Sequence, residues 1–102
     1  MITTNEWLPI GSVVHVPEYG ERLLCIIGCM QTDVETGKLW DYVALEFPVG
    51  YTDRDKMIMF DKNSIDCIYF LGYQDTDGMV FQSIVQLNEK SFEAAKEKEK
   101  EH

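Results

Sequence analysis

Basic residues are scarce in this chain. It holds 9 Lys and Arg against 18 Asp and Glu, a formal net charge of −9. Three lysines and three glutamates in 96–102 cancel, so the whole excess lies in residues 1–95, where fifteen acids face six bases. Such a surface repels nucleic acid and anionic lipid and favours solubility. Arg22, Lys38, Arg54, Lys56 and Lys62 are diluted by acids and form no basic stripe beside the aromatics. The expectation is no nucleic acid, no membrane, and compatibility with a basic partner. Cysteine is sparse too. Cys25, Cys29 and Cys67 are odd in number and sit in apolar runs. That argues against a disulfide scaffold and for a reducing, cytoplasmic setting. Long hydrophobic runs are missing: Leu23–Ile27 is far too short to span a bilayer. The start, M-I-T-T-N-E-W-L-P, lacks the basic and apolar regions of a signal peptide.

What is present is enough for one core. The 102 residues are 45% hydrophobic and 12% aromatic, in the range of a single domain that folds unaided. Residues 1–10 read as a lead-in, with Trp7-Leu8-Pro9-Ile10 as an apolar anchor. Residues 11–73 read as a β-rich core. Val13–Val16 is a short β-branched strand, and Pro17–Gly20 a turn. Glu21–Thr32 is apolar at nearly every position, with Gly28 marking a bend or bulge. Asp33–Lys38 is a hairpin connection with Gly37 free to take positive φ. Leu39–Phe47 is a strand interrupted by Asp41 on one face. Tyr51–Lys56 is a polar loop, Met57–Phe60 a short strand, and Asp61–Ser64 a tight turn with a single 3₁₀ turn. Ile65–Tyr73 is the last strand.

The helix is expected over 77–95, capped by Asp75 or Asp77, with Phe81, Ile84, Val85, Asn88, Phe92 and Ala95 on one face and Val80 and Leu87 flanking. Residues 96–102 form a charged tail expected to fray. The sum is a mainly β (α+β) fold: a small antiparallel five-stranded SH3-like barrel or curved sheet, capped by one C-terminal helix. Trp40, Tyr42, Cys67, Tyr69 and Leu71 cannot all face a barrel interior. The helix, or a partner in its place, is expected to cover a second sheet face that they form.

The residues assemble no catalytic constellation, so no enzyme is expected. Cys25 and Cys29 would lie about 13 Å apart on one strand face, too far to share an ion. No metal and no cofactor is expected. His15 alternates with Val14 and Val16 as the outward residue of a strand, and lacks the orienting group of a Cys–His nucleophile. A small-molecule module or enzyme with a pocket near His15 and Cys25 stays as a remote alternative. The acidic clusters beginning at Asp33, Asp53 and Asp75 each miss the glycine and the bidentate glutamate of a calcium loop, and serve turns and caps better. What remains is aromatic surface. Trp40, Tyr42, Phe47, Tyr51 and Tyr69 are the candidate partner-binding residues, with Phe47-Pro48-Val49-Gly50-Tyr51 as a binding loop. A homodimer through the helix or an edge strand is compatible with the pattern.

The order L-P-I-G-S-V-V (Leu8–Val14), R-L-L-C-I-I-G (Arg22–Gly28), D-Y-V (Asp41–Val43), P-V-G (Pro48–Gly50) and F-D-K-N-S-I-D-C-I-Y-F-L-G-Y (Phe60–Tyr73) resembles a bacterial family called domain of unknown function 4176. The resemblance covers residues 8–75. It implies a small accessory protein of Gram-positive bacteria, tied to type VII secretion loci that encode LXG-type toxins. The role it implies is that of a cytoplasmic partner or chaperone of those toxins. An immunity protein neutralising a cognate toxin is the alternative. The resemblance carries no catalytic residues.

Overall fold

The computed structural model describes residues 6–100, and its strands follow the β-branched and aromatic runs. They are β1 (Val13–His15), β2 (Leu23–Thr32), β3 (Leu39–Phe47), β4 (Ile58–Phe60) and β5 (Cys67–Phe70), followed by one helix, α1 (Thr76–Lys100). Single 3₁₀ turns occupy Pro17–Tyr19, Arg54–Lys56 and Lys62–Ser64, the last where a tight turn was expected. All strand pairs are antiparallel, in the order β4-β3-β2-β1-β5. β4 and β5 are therefore the two edges. The five-stranded, helix-capped architecture is realised as an open curved sheet and not as a closed barrel.

Local chemistry sets the register. Gly37 takes φ 75 and its N–H donates to the Asp33 carbonyl at 2.7 Å, closing the hairpin that pairs Thr32 with Leu39. The expected irregularity in β2 is present: pairing with β3 slips between Ile26 and Gly28. A second slip, between Val13 and Val14, lies where β1 meets β5. Each bends the sheet and deepens its twist, so that one face closes around a core.

That core holds Val14, Val16, Leu24, Ile26, Tyr42, Ala44 and Phe60 from the sheet, Trp7 and Leu8 from the lead-in, and Val85 from α1. The lead-in is a structural layer. Trp7 meets Tyr42 edge-on at 5.4 Å between ring centroids and Phe92 of the helix at 6.3 Å. The Leu8 N–H donates to the Tyr42 hydroxyl at 2.8 Å. Burial pushes the Tyr42 hydroxyl pKa up, so it stays protonated and its own proton is retained.

Four expectations are corrected. The helix does not cover a second face made by Tyr42 with Cys67, Tyr69 and Leu71. Tyr42 points into the core beneath α1, together with Ile68, while Tyr69 and Leu71 are exposed. Nor does the helix turn its most apolar side inward. Only Val85 is fully buried, with Phe92 partly so, and Phe81, Ile84, Asn88 and Ala95 face outward. The reason is that Gln82, Glu89 and Lys96 share the inward stripe with Val85 and Phe92, and are bonded to the lead-in, to the 3₁₀ turn at Lys62 and to the sheet respectively. Finally, the helix does not stop at Ala95. It runs to Lys100, because Lys96 is pinned; residues 101–102 of the charged tail lie outside the described residues. β5 is also shorter than the expected Ile65–Tyr73, since Ile65 follows the 3₁₀ turn and Gly72 leaves the ladder.

Candidate interaction surfaces

An aspartate in the middle of an apolar strand needs a partner, because a buried carboxylate is costly alone. Asp41 of β3, 3% exposed, finds it in Lys96 of α1, whose Nζ lies 2.6 Å from Asp41 Oδ1 and 2.7 Å from Asp61 Oδ1. The backbone joins the cluster: Lys62 N–H donates to Asp41 Oδ2 at 2.9 Å, and Asp41 N–H donates to Asp61 Oδ1 at 3.1 Å. Burial opposes the charge on Lys96, but the two carboxylates outweigh it and raise its pKa above that of an ordinary lysine. About two turns back, Glu89 pairs with Lys62 at 3.3 Å. Desolvation resists its ionisation, yet Lys62, together with Gln86 and Trp7, outweighs that and holds its pKa below the usual carboxylate value. Further back still, Gln82 donates to the Trp7 carbonyl at 2.9 Å. These three polar anchors fasten α1 along its length.

A second polar site joins β1 to β5. His15 Nδ1 lies 2.7 Å from Asp66 Oδ1, and His15 Nε2 lies 2.7 Å from the Gly20 carbonyl. A carboxylate and a carbonyl only accept, so the arrangement favours the imidazolium form, in which both ring nitrogens donate. The Asp66 bond, then the Gly20 bond, raise the His15 pKa above 6.5. Nε2, the atom that would activate a nucleophile, is thereby occupied. Burial raises the Cys29 thiol as well, which keeps it unreactive. Because the folded His15 pKa exceeds the unfolded one, its contribution to stability is complete below about pH 6.5 and is lost as pH rises through the folded value. The melting temperature of His15→Gln should therefore fall below that of the native protein at mildly acidic pH, and the gap should narrow as pH rises. A gap independent of pH in thermal melts would show that His15 acts by shape alone.

The five aromatic candidates do not converge. Tyr42 is fully buried. Trp40 is half-buried under Lys38, whose Nζ stands 3.9 Å from the ring centroid, and lines a cavity of about 690 Å³ with Tyr19, Arg54, Met57 and Met59. That cavity lies toward the β4 edge. Phe47 and Tyr51 are exposed around the Pro48–Gly50 turn. Tyr69 lies on the opposite edge, β5, in a groove of about 640 Å³. Sequence reasoning missed the exposed apolar side of α1: Met79, Val80, Phe81, Ile84 and Leu87 are between 46% and 83% exposed. It also missed the Asp41–Asp61–Lys96 cluster. Asp41 alone signalled that something must pair with it, but nothing in the sequence pointed to Lys96, 55 residues away. Among the described residues no group of three or more His, Cys, Asp or Glu is placed to hold a metal ion, and no helix is long and apolar enough to cross a membrane.

The sequence profile of a family described as Domain of unknown function (DUF4176) matches residues 7–81. The chain belongs to this family. The match takes in Trp7–Ile10 of the lead-in, all five strands and the start of α1; it contains the β5 side of the groove and ends before Gln82, Gln86 and Lys96. No curated protein and no solved structure gives a significant match to the chain.

Proposed function

We propose that this DUF4176 protein is a non-enzymatic accessory protein that holds a protein partner, and that the partner is an LXG-type toxin kept in the cytoplasm of a Gram-positive bacterium before type VII export. The observation that carries this reading is the exposed apolar side of α1, with Leu87 83% and Met79 62% exposed. Large apolar groups left together on a surface mark a site that a partner covers. The link to LXG toxins comes from the resemblance of the sequence to its family.

The test is co-production with a toxin encoded beside the gene. The toxin should be recovered in complex with this protein, and its soluble yield should fall when the protein is omitted. A toxin that is equally soluble alone, and that fails to co-purify, rejects the reading. The net charge of −9 favours one alternative, an immunity protein that occupies a basic active site. The two part on a simple readout: an immunity protein rescues cells from toxin already delivered, whereas a chaperone changes only its abundance and export. A pocket beside His15 and Cys25 finds less support, since both His15 nitrogens are engaged within the fold.

A further inference from the structure

The two edges of the sheet are treated differently. β4, three residues long, is flanked by Arg54, Lys56 and Lys62. Both edge strands are short, so the difference lies in the lysines and arginine, a usual device that stops a sheet edge from pairing with other chains. At the β5 edge the chain runs Tyr69-Phe70-Leu71, with exposures of 54%, 59% and 59%, and has no Lys or Arg anywhere from residue 63 to residue 89. Asp66, Asp75, Asp77 and Glu89 are the charged residues of that stretch.

The groove beside this edge has a shape that fits a strand. It is lined by Ile68 through Gly72, by the lead-in at Leu8 and by Gln82 and Gln86 of α1. Alternate side chains of a strand point to opposite faces, so a groove lined by three consecutive β5 residues, Ile68, Tyr69 and Phe70, runs along the edge of the backbone. Three strand residues give that stretch a length of about 10 Å, and Leu71 and Gly72 continue the wall beyond the strand. Gln82 and Gln86, one helical turn apart, form the opposite wall. Each spends its amide N–H on a neighbour, Gln82 on the Trp7 carbonyl and Gln86 on Glu89.

We propose that the β5 edge is the docking site for an extended segment of the partner, which adds as a sixth strand between β5 and α1 and carries apolar residues alternating with Lys or Arg. The inference rests on the binding role proposed above and adds to it a second surface, separate from the exposed apolar side of α1, with its own chemistry. Backbone pairing supplies attachment, and alternate side chains supply specificity: apolar ones enter the groove, and basic ones reach Glu6 on its wall and the acidic surface beyond it. A second copy of this chain fits poorly, because both copies carry a net charge of −9 and, among the described residues, only Asp66 and Glu89 of those four acids have a cation beside them, His15 and Lys62. The acids equally disfavour an anionic lipid surface.

The probe is a short fluorescein-labelled peptide alternating valine and lysine, titrated against the full chain by anisotropy, with amide chemical shifts recorded in parallel. Binding should perturb Ile68–Gly72, Gln82 and Gln86. Leu71→Lys places a guarding charge on the edge at an exposed position and should weaken binding by about tenfold or more, equivalent to about 1.4 kcal/mol. Met57→Lys, beside the other edge, should leave it unchanged. Unaltered melting temperatures confirm that both variants are folded. A glutamate version of the peptide, and a version N-methylated on alternate amides, should bind much more weakly. The proposal is overturned if the lysine peptide does not bind, if Leu71→Lys binds it equally, if the glutamate peptide binds as well, or if the native chain is a dimer that Leu71→Lys dissolves. Toxin capture separates this from the broader role. If native protein and Leu71→Lys retain the toxin equally, the edge is wrong and the binding role stands. If the edge binds the peptide but no toxin is retained, the role fails and the edge stands.

Discussion

Lys96→Met should lower the stability of the folded chain by about 3 kcal/mol, seen as a fall in the denaturant midpoint at neutral pH. The methylenes of Lys96 are largely preserved in methionine, so lost packing is a small part of the effect. The charge is what matters. Without it, Asp41 Oδ1 loses its 2.6 Å partner while the Asp41 side chain stays 4% exposed. Asp61, whose Oδ1 now also lacks the ammonium, remains beside it as a like charge. Breaking one side of a buried pair costs more than the pair is worth, because the remaining charge has nowhere to be solvated. Two controls follow. Asp41→Asn combined with Lys96→Met removes the buried charge together with its partner and should recover a large part of the loss. Raising the salt concentration should change the native protein's stability little, since a buried pair is weakly screened. A loss of only a few tenths of a kcal/mol for Lys96→Met would place the cluster with ordinary surface pairs. Hydrogen exchange should show the C-terminal half of α1 opening in this variant, while the half near Gln82 keeps its tie to Trp7.

This cluster also shows where sequence reading reached its end. The strands were legible because β-branched and aromatic runs alternate with Pro, Gly and Asp turns; the hairpin at Gly37, the slip at Gly28 and the cap at Asp75 each follow from one residue's local chemistry. Asp75 Oδ1 accepts the Gly78 N–H at 3.0 Å, as an N-cap acid should. The orientation of α1 was not legible. Its apolar positions suggested that Phe81, Ile84 and Ala95 face the sheet, but hydrophobic spacing registers only how apolar a side is. It cannot register that Gln82, Glu89 and Lys96 each meet a specific partner contributed by the lead-in, by Lys62 or by Asp41. Those partners lie between 27 and 75 residues away, and only the fold brings them together. The same limitation misplaced Tyr42, which reads as surface aromatic in the sequence. The lead-in folds back over the sheet at that point, so Tyr42 closes the core through its bond to Leu8. The candidate site changed accordingly. Tyr69 kept its exposed place, and much of the helix side that was expected to be buried became uncovered apolar surface.

Gly72→Ala is expected to be as damaging as loss of the cluster, for a reason that involves no charge. Gly72 is buried, and a Cβ built on it would stand 2.2 Å from the Ile10 carbonyl oxygen and 2.9 Å from the Ser12 nitrogen. Both are backbone atoms, so no side-chain rotation can relieve the contact. The neighbouring chain is held from the other side: Gly11 N–H donates to the Ile26 carbonyl at 2.8 Å, and Ile26 N–H donates to the Ser12 carbonyl at 2.9 Å. Residues 10–12 therefore cannot move away without breaking into β2, and the segment after β5 must move instead. That movement breaks the 2.9 Å bond from Gly72 N–H to Ser12 Oγ, in a place where Ser12 is fully buried. The overpacking alone should cost about 3 kcal/mol, measured by chemical denaturation. Ser12→Ala, which removes the bond and leaves room, should cost only about 1–2 kcal/mol. If Gly72→Ala were no worse than Ser12→Ala, the close approach of the two chains would not be the constraint, and the hydrogen bond alone would explain the glycine. The two substitutions also separate stability from the edge. Gly72 closes the end of the groove beside β5, so displacing it should weaken peptide docking together with stability, whereas Leu71→Lys should remove docking and leave the midpoint where it was.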